Sequence, residues 1–266
     1  MSRPPLALMT SAEVIARLEA IASSIAGPPA ETLLAFDADG TLWSGDVGID
    51  NFEALLATSA VLPAALPMLR EEARGASLPI SDDPTAQARM LYDAFLRDAY
   101  DEERAFRMMA AVFAGYREDD VRAFAAAVAG KTGLPERLHP EVRPILDWAA
   151  RCQVPIYVVS ASHALVVQSS LEFVGLPVAG LFAMKQALED GLLTTRIVEP
   201  VTYGAGKTEA LRAGVTGKTL LGAFGDSAFD LHLLRDAKLA VAVRPKDGLR
   251  ARAAECTGLC ELAVAP

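Results

Sequence analysis

Residues 33–41 read Leu-Leu-Ala-Phe-Asp-Ala-Asp-Gly-Thr, an apolar run that ends in two carboxylates and a glycine. A run that is apolar on both faces is typical of a strand in a parallel sheet covered by helices. Burying a carboxylate is unfavourable unless a cation or hydrogen bonds compensate it. Asp37 and Asp39 therefore form either a solvated turn or a reactive site, and this stretch alone leaves both interpretations open.

Three later apolar runs have a similar length. They cover residues 156–159, 220–224 and 239–243. Ser160 follows the first run, and Asp226 follows the second after Gly225. The carboxyl ends of parallel strands line the ligand crevice, so we expect these side chains to meet at one edge of a sheet. The pattern predicts an α/β fold, a Rossmann-like three-layer sandwich with a mostly parallel sheet.

The first two runs are separated by about a hundred residues without a convincing strand, far more than one crossover helix needs. The pattern there predicts helices over 51–60, 64–73, 85–99, 102–114 and 119–129. We interpret this stretch as a helical cap over 44–139, inserted between two parts of a core, 1–43 and 140–266. The spacing also predicts a helix over 11–26 and a hairpin, 181–187 with 192–198, around Asp190-Gly191.

Composition excludes several classes of function. The 266 residues carry a net charge of -9, which argues against a nucleic-acid partner. The first residues of the sequence do not show the pattern of a signal peptide, and we find no uncharged apolar run of roughly 18 residues. We therefore expect a cytoplasmic protein with no membrane partner, and composition leaves its oligomeric state open. A small phosphorylated metabolite remains compatible, because a metal ion and one lysine can reverse the local field.

A second acidic motif favours the reactive interpretation. Residues 222–230 read Gly-Ala-Phe-Gly-Asp-Ser-Ala-Phe-Asp, which places Asp226 and Asp230 at the end of another apolar strand. Four acids at one edge would repel each other unless a divalent cation lay among them. Mg²⁺ prefers such oxygen ligands, so the sequence predicts a magnesium site.

Ser160 and Lys207 have more than one interpretation when taken alone. Ser160 suits an anion site at a helix start, or an ordinary helix N-cap. Lys207 lies in a segment that superficially resembles a nucleotide phosphate loop, but Val201 stands where that motif needs glycine. Glu209 likewise breaks the dinucleotide-binding pattern. Lys207 is then either a phosphoryl ligand at the acidic edge or an exposed lysine at a helix start.

Taken in order, these motifs resemble those of the haloacid dehalogenase-like superfamily. The resemblance runs from Leu33 to about Pro245, and the inserted helices resemble the cap of its phosphoserine-phosphatase-like branch. It implies that Asp37 is the nucleophile and Asp39 the acid/base. It implies phosphate binding by Ser160, Ala161, Lys207 and Thr41. It also implies a metal held by Asp37, the Asp39 backbone carbonyl and Asp226, with Asp230, Ser227 and Gly225 in support.

The cap gives a weaker indication of the substrate. Asp46 lies where phosphoserine phosphatases carry an acid for the substrate ammonium, and Asp50 competes for that role. Met109 occupies the approximate position of their carboxylate-binding arginine, with Arg107 nearby, so phosphocholine or phosphoethanolamine competes with phosphoserine. Trp43 either faces a substrate cation or belongs to the core.

The leading hypothesis is a magnesium-dependent phosphatase that hydrolyses a small phosphomonoester through a phospho-aspartate. Two alternatives stay open at this point. One is a phosphotransferase or mutase of the same superfamily, which passes the phosphoryl group to an acceptor other than water. The other is a non-catalytic module that binds metal or phosphate.

Overall fold

A parallel sheet forms the centre of the molecule. The computed structural model describes residues 6–25 and 31–265. The strands are, in chain order, β1 (Ala7–Met9), β2 (Thr32–Phe36), β3 (Ile156–His163), β4 (Gly180–Met184), β5 (Gln186–Glu189), β6 (Leu192–Ile197), β7 (Thr219–Gly225), β8 (Leu239–Val243) and β9 (Cys260–Leu262). The large sheet has the order β1-β9-β8-β7-β2-β3-β4, and every neighbouring pair in it is parallel. The predicted α/β fold is confirmed.

Helices cover both faces of this sheet. They are α1 (Ser11–Ser24), α2 (Val47–Ala57), α3 (Leu66–Gly75), α4 (Pro84–Phe95), α5 (Glu102–Ala111), α6 (Glu118–Lys131), α7 (Arg143–Arg151), α8 (Ala164–Phe173), α9 (Ala205–Gly214), α10 (Leu231–Asp236) and α11 (Asp247–Arg252). The predicted first helix is confirmed up to Ser24, and its last residue, 26, lies outside the described residues. Within 6–25 and 31–265, no helix combines the length and apolar character that a membrane crossing requires.

The buried central strands explain the two helical layers. Side chains alternate across a strand, so Leu34 and Phe36 of β2 pack with α1, α7 and α8. Leu33 and Ala35 point the other way, into the cluster that includes α9, α10 and α11. The Phe36 ring stacks on Phe224 of the neighbouring strand with centroids 4.1 Å apart. This packing fixes the ends of β2 and β7 side by side.

The five helices predicted between β2 and β3 are α2–α6, although their ends differ, and α7 follows them before β3 begins. Helix α2 begins at Val47, four residues earlier than expected, because the Asp46 carboxylate accepts a hydrogen bond from the Ile49 N–H at 2.8 Å and caps it. Helix α4 stops at Phe95, short of the predicted end at residue 99, and Asp98 then adopts a left-handed conformation (φ 56°). The division into 1–43, 44–139 and 140–266 stays a prediction.

The predicted hairpin is correct at its turn and wrong in its first strand. Asp190 and Gly191 both have positive φ, as a tight hairpin turn requires, and β5 pairs antiparallel with β6. The expected strand over 181–187 is two strands, because residues up to Met184 pair with β3 in the large sheet. Leu193 exchanges backbone hydrogen bonds of 2.8 Å with Gly115 and Tyr116, which attaches the hairpin to the turn after α5.

Candidate active site

Asp37 lies directly after β2, and its buried carboxylate is held from two sides. Lys207 Nζ lies 2.6 Å from Oδ1, and the Thr41 hydroxyl donates to Oδ2 at 3.1 Å. Burial raises the pKa of Asp37 well above its ordinary value; Lys207 opposes this rise and the three nearby carboxylates add to it. Thr41 is fully buried against Asp37, and phosphate binding by Thr41 stays a prediction.

Lys207 lies in the first turn of α9, buried between two carboxylates. Its Nζ is 2.6 Å from an oxygen of Asp37 and 2.6 Å from an oxygen of Asp230. Burial lowers the pKa of Lys207, but the two carboxylates outweigh burial and hold the pKa above its ordinary value. Of the two interpretations of Lys207, the exposed lysine is therefore wrong. A protonated amine lies beside Asp37.

Asp230 organises the turn that follows β7. Its Oδ1 binds Lys207, and its Oδ2 accepts hydrogen bonds from the N–H groups of Asp226 and Ser227 at 3.1 and 3.0 Å, and from the Ser227 hydroxyl at 3.0 Å. A side chain on Gly225 would collide with Asp230, since its Cβ would lie 2.5 Å from the Asp230 Cβ. The predicted supporting residues thus form one hydrogen-bonded unit.

Asp226 packs against the glycine of the first motif. A Cβ on Gly40 would lie 2.0 Å from Asp226 Oδ2, and Gly40 has a φ of 83°, so both space and conformation require glycine there. Burial raises the pKa of Asp226 to about 6, and Asp230 adds to that rise while Lys246 opposes it. Lys246 Nζ lies 2.9 Å from Asp226 Oδ2. Sequence reasoning missed Lys246, although it comes shortly after β8 and the rule used for the other strand ends would have indicated it.

The arrangement of acids fits a divalent cation. One carboxylate oxygen from each of Asp37, Asp226 and Asp230 lies within 4.8 Å of the others, and all three side chains are buried. Such an oxygen donor set suits Mg²⁺. Both oxygens of Asp37 and both oxygens of Asp230 accept hydrogen bonds, so these contacts do not rank the acids as ligands, and the choice of Asp37 and Asp226 stays a prediction. A contribution from the Asp39 backbone carbonyl stays a prediction.

Asp39 is held apart from this cluster by three uncharged donors. Its Oδ1 accepts from the Trp43 indole N–H at 2.9 Å and from the Val47 N–H at 2.8 Å. Its Oδ2 accepts from the Ser162 hydroxyl at 2.7 Å. Trp43 is fully buried, which confirms the core interpretation and makes the idea that its ring faces a substrate cation wrong. Sequence reasoning missed the contribution of Ser162.

Ser160 lies inside β3 rather than at a helix start. Strand β3 continues to His163, which is the N-cap of α8, so the N-cap interpretation of Ser160 is wrong, while anion binding by Ser160 stays a prediction. Val158 pairs with Phe36, and Ser160 follows two residues after that pair, as Ala38 does on the β2 side. The Ser160 hydroxyl accepts the Ser162 N–H at 3.0 Å, and a hydroxyl that accepts in this way can still donate its own hydrogen. Ala161 follows it in the same strand, half-buried.

The cap residues considered for specificity have different surroundings. Burial, reinforced by Asp39, raises the pKa of Asp46 to about 8. Asp50 forms an ion pair with Arg137 at 2.5 Å, which argues against a free role in binding an ammonium group. Arg107 pairs with Glu199 at 3.4 Å and, among the described residues, makes no ion pair or hydrogen bond to the acidic cluster. Met109 is buried in the core.

Solved structures share this fold. A protein of unknown function from Bordetella pertussis Tohama I is 20% identical over 87% of this chain and 98% of that chain, with a TM-score of 0.66. A substrate-bound phosphoserine phosphatase is 18% identical over 88% and 93% of the two chains (TM-score 0.53). Cytosolic 5′-nucleotidase IIIB bound to cytidine is 14% identical over 94% and 85% (TM-score 0.58).

The family model that describes haloacid dehalogenase-like hydrolases matches residues 34–235. This range begins in β2, just before Asp37, and ends after Asp230, so it includes both acidic motifs, Ser160 and Lys207. The chain therefore belongs to the haloacid dehalogenase-like hydrolase family.

Proposed function

We propose that this protein is a magnesium-dependent phosphatase that hydrolyses a small phosphomonoester through a phosphorylated Asp37. The observation that carries the proposal is the contrast between two neighbouring carboxylates. Asp37 contacts a protonated Lys207 among further acids, as a nucleophile that meets a phosphoryl group requires. Asp39 is held separately by neutral donors, as suits an acid/base.

The proposed reaction has two steps. In the first, an Asp37 carboxylate oxygen bonds to phosphorus, the bond to the leaving oxygen breaks, and Asp39 gives that oxygen a proton. In the second, Asp39 takes a proton from water, whose oxygen bonds to phosphorus and releases phosphate from Asp37. Ser160 and Lys207 bind the phosphoryl oxygens and hold the group in line, which is most of what phosphoryl transfer requires.

Mg²⁺ would bind beside Asp37 at the acidic edge of the sheet. Asp37, Asp226 and the Asp39 backbone carbonyl would hold Mg²⁺, which when bound neutralises negative charge on the phosphoryl oxygens and the carboxylates. Asp230 serves by fixing Lys207 and the Gly225–Ser227 turn.

The proposed substrates carry an amine. Asp46 is close enough to Asp39 for its pKa to respond to that carboxylate, and a substrate ammonium would stabilise its ionised form. Phosphoserine is one candidate, supported by the fold shared with a phosphoserine phosphatase. Phosphocholine and phosphoethanolamine are the others, because Arg107 is already paired with Glu199 and Met109 is buried.

Hydrolysis of p-nitrophenyl phosphate with Mg²⁺ tests the class of reaction, and a panel of phosphorylated metabolites tests the substrate. We expect activity that disappears with EDTA and in Asp37→Asn, and that persists in Asp247→Asn, an exposed acid on α11. Full activity of Asp37→Asn in EDTA would refute the proposal. Phosphate release measured beside alcohol acceptors separates hydrolysis from phosphotransfer.

A further inference from the structure

We propose that Ser162 is a positioning residue for the acid/base Asp39, whose side chain it orients through a hydrogen bond to Oδ2. The inference rests on the proposed function, in which Asp39 exchanges a proton with the leaving group and with water. Ser162 need not contact the substrate, since it acts through Asp39.

The hydrogen bond between Ser162 and Asp39 is short and buried, and the strand that carries Ser162 is itself held by hydrogen bonds. Ser162 Oγ lies 2.7 Å from Asp39 Oδ2, and Ser162 is 5% exposed. The Ser162 N–H donates to the Ser160 hydroxyl at 3.0 Å, while the Thr202 hydroxyl donates to the Ser160 carbonyl at 2.6 Å. This end of β3 is thereby held in one conformation, and with it the Ser162 hydroxyl.

The two oxygens of Asp39 have chemically different partners. Oδ1 faces two N–H groups, from Trp43 and Val47, which can only donate. Oδ2 faces a hydroxyl, which donates to it at 2.7 Å and, unlike an N–H group, can also accept. Oδ1 is therefore fixed by two N–H donors, and Ser162 is the contact that fixes Oδ2.

A glycine in the cap makes room for this hydroxyl. A Cβ on Gly48, in the first turn of α2, would lie 2.6 Å from Ser162 Oγ, 3.0 Å from Ser162 Cβ and 3.1 Å from Asp46 Oδ1, so the test of Gly48→Ala uses substrates without an amine. The φ of Gly48 is not in the left-handed region, so alanine suits the backbone and favours the helix. Gly48→Ala is therefore a second way to displace the Ser162 hydroxyl, without removing it.

The experiment compares leaving groups. The proton from Asp39 matters for a basic alkoxide and little for p-nitrophenolate, so loss of its positioning should slow the two substrates unequally. For Ser162→Ala and Gly48→Ala we expect kcat/KM for β-glycerophosphate, an alkyl phosphate without an amine, to fall by about 10-fold or more, and that for p-nitrophenyl phosphate by about 2-fold at most. Ser170→Ala is the matched control, because Ser170 is buried in α8 and its hydroxyl has no hydrogen-bond partner among the described residues.

The outcomes separate the inference from the proposed function. Wild-type protein that hydrolyses no phosphomonoester defeats the proposed function. An active wild type with equal losses on both substrates in Ser162→Ala, or with no loss on either, overturns the role of Ser162 and leaves the phosphatase intact. Binding of Mg²⁺ in Ser162→Ala, measured by calorimetry, should match wild type, and a weakened affinity would instead indicate general damage to the site.

Discussion

The nucleophile cluster (Asp37, Lys207, Asp226 and Asp230) and the acid–base junction (Asp39, Trp43, Val47 and Ser162) lie next to each other and are built differently. The cluster is made of charges that compensate one another at the ends of strands and at the start of α9. The junction surrounds one carboxylate with neutral donors from β3, from the segment after β2, and from the first residue of α2. In the proposed mechanism the charged side chains therefore lie where phosphate and Mg²⁺ would bind, while the proposed acid/base Asp39 is oriented by neutral hydrogen-bond donors.

Asp226→Asn should give the largest effect among the variants that spare Asp37. The variant removes a carboxylate ligand of the cluster, so we expect Mg²⁺ affinity to fall by more than about 100-fold and activity to fall with it. Calorimetric titration with Mg²⁺ measures the first effect, with Asp247→Asn as the control. Unchanged Mg²⁺ affinity would show that the acids of the cluster do not form the metal site.

Lys207→Met should lower activity by about 100-fold and also destabilise the fold. Removing one partner of a buried ion pair costs about 3–5 kcal/mol, because the remaining carboxylates lose their cation. Urea unfolding measures the loss, and Lys238→Met, an exposed lysine before β8, supplies the control. Equal stability of the two variants would contradict the view that Lys207 compensates the cluster.

Trp43→Phe tests the junction without changing a charge. It keeps the aromatic ring and removes the N–H that binds Asp39, so we expect kcat/KM for an alkyl phosphate to fall about 10-fold with Mg²⁺ affinity unchanged. Trp148→Phe is a matched control, since the Trp148 N–H binds a carboxylate of Glu19 at 2.9 Å, away from the site. Similar losses in the two variants would remove the distinction between cluster and junction.

His163 should affect acid stability and leave activity at neutral pH almost unchanged. Burial lowers the pKa of His163 to about 4, below its ordinary value, so the unfolded chain binds a proton between pH 6.5 and 4 that the folded chain does not. Its contribution to stability is therefore present above pH 6.5 and lost as the pH falls, by about 3 kcal/mol near pH 4.

His163→Asn removes this titration and keeps an acceptor for the N-cap of α8. The free energy of unfolding of the variant should fall less than that of wild type between pH 7 and pH 4. His232→Asn, an exposed change on α10, should follow wild type. Parallel pH dependence in wild type and His163→Asn would contradict a buried, neutral His163.

The sequence predicts the cluster better than the junction for a physical reason. Asp37, Asp226, Asp230 and Lys207 follow from a local rule, that residues at the carboxyl ends of parallel strands share one edge. The contact between Ser162 and Asp39 joins residues 123 positions apart, through side-chain directions that hydrophobic periodicity does not encode. The same limit applies to the pairing of Arg137 with Asp50.

The errors in the predicted boundaries of helices and strands also have identifiable physical causes. Helix α2 begins earlier than predicted because Asp46 serves as its N-cap, a role that hydrophobic periodicity does not indicate. The strand expected over 181–187 is divided into two strands. Residues up to Met184 pair with β3 in the large sheet, while β5 pairs with β6 in the register that the hairpin turn sets. Hydrophobic periodicity indicates the apolar residues of both segments, but the position at which each element begins or ends depends on contacts with other parts of the chain.

The central claim, phosphorylation of Asp37, can be tested by trapping. Wild-type protein would be mixed with substrate and Mg²⁺, quenched in acid, and treated with borohydride, which reduces an acyl phosphate to an alcohol. Peptide mass spectrometry should then find homoserine at position 37, and not in samples lacking substrate. An unmodified Asp37 in enzyme quenched during rapid turnover, or a phosphoryl group on another residue such as Ser160, would contradict the account.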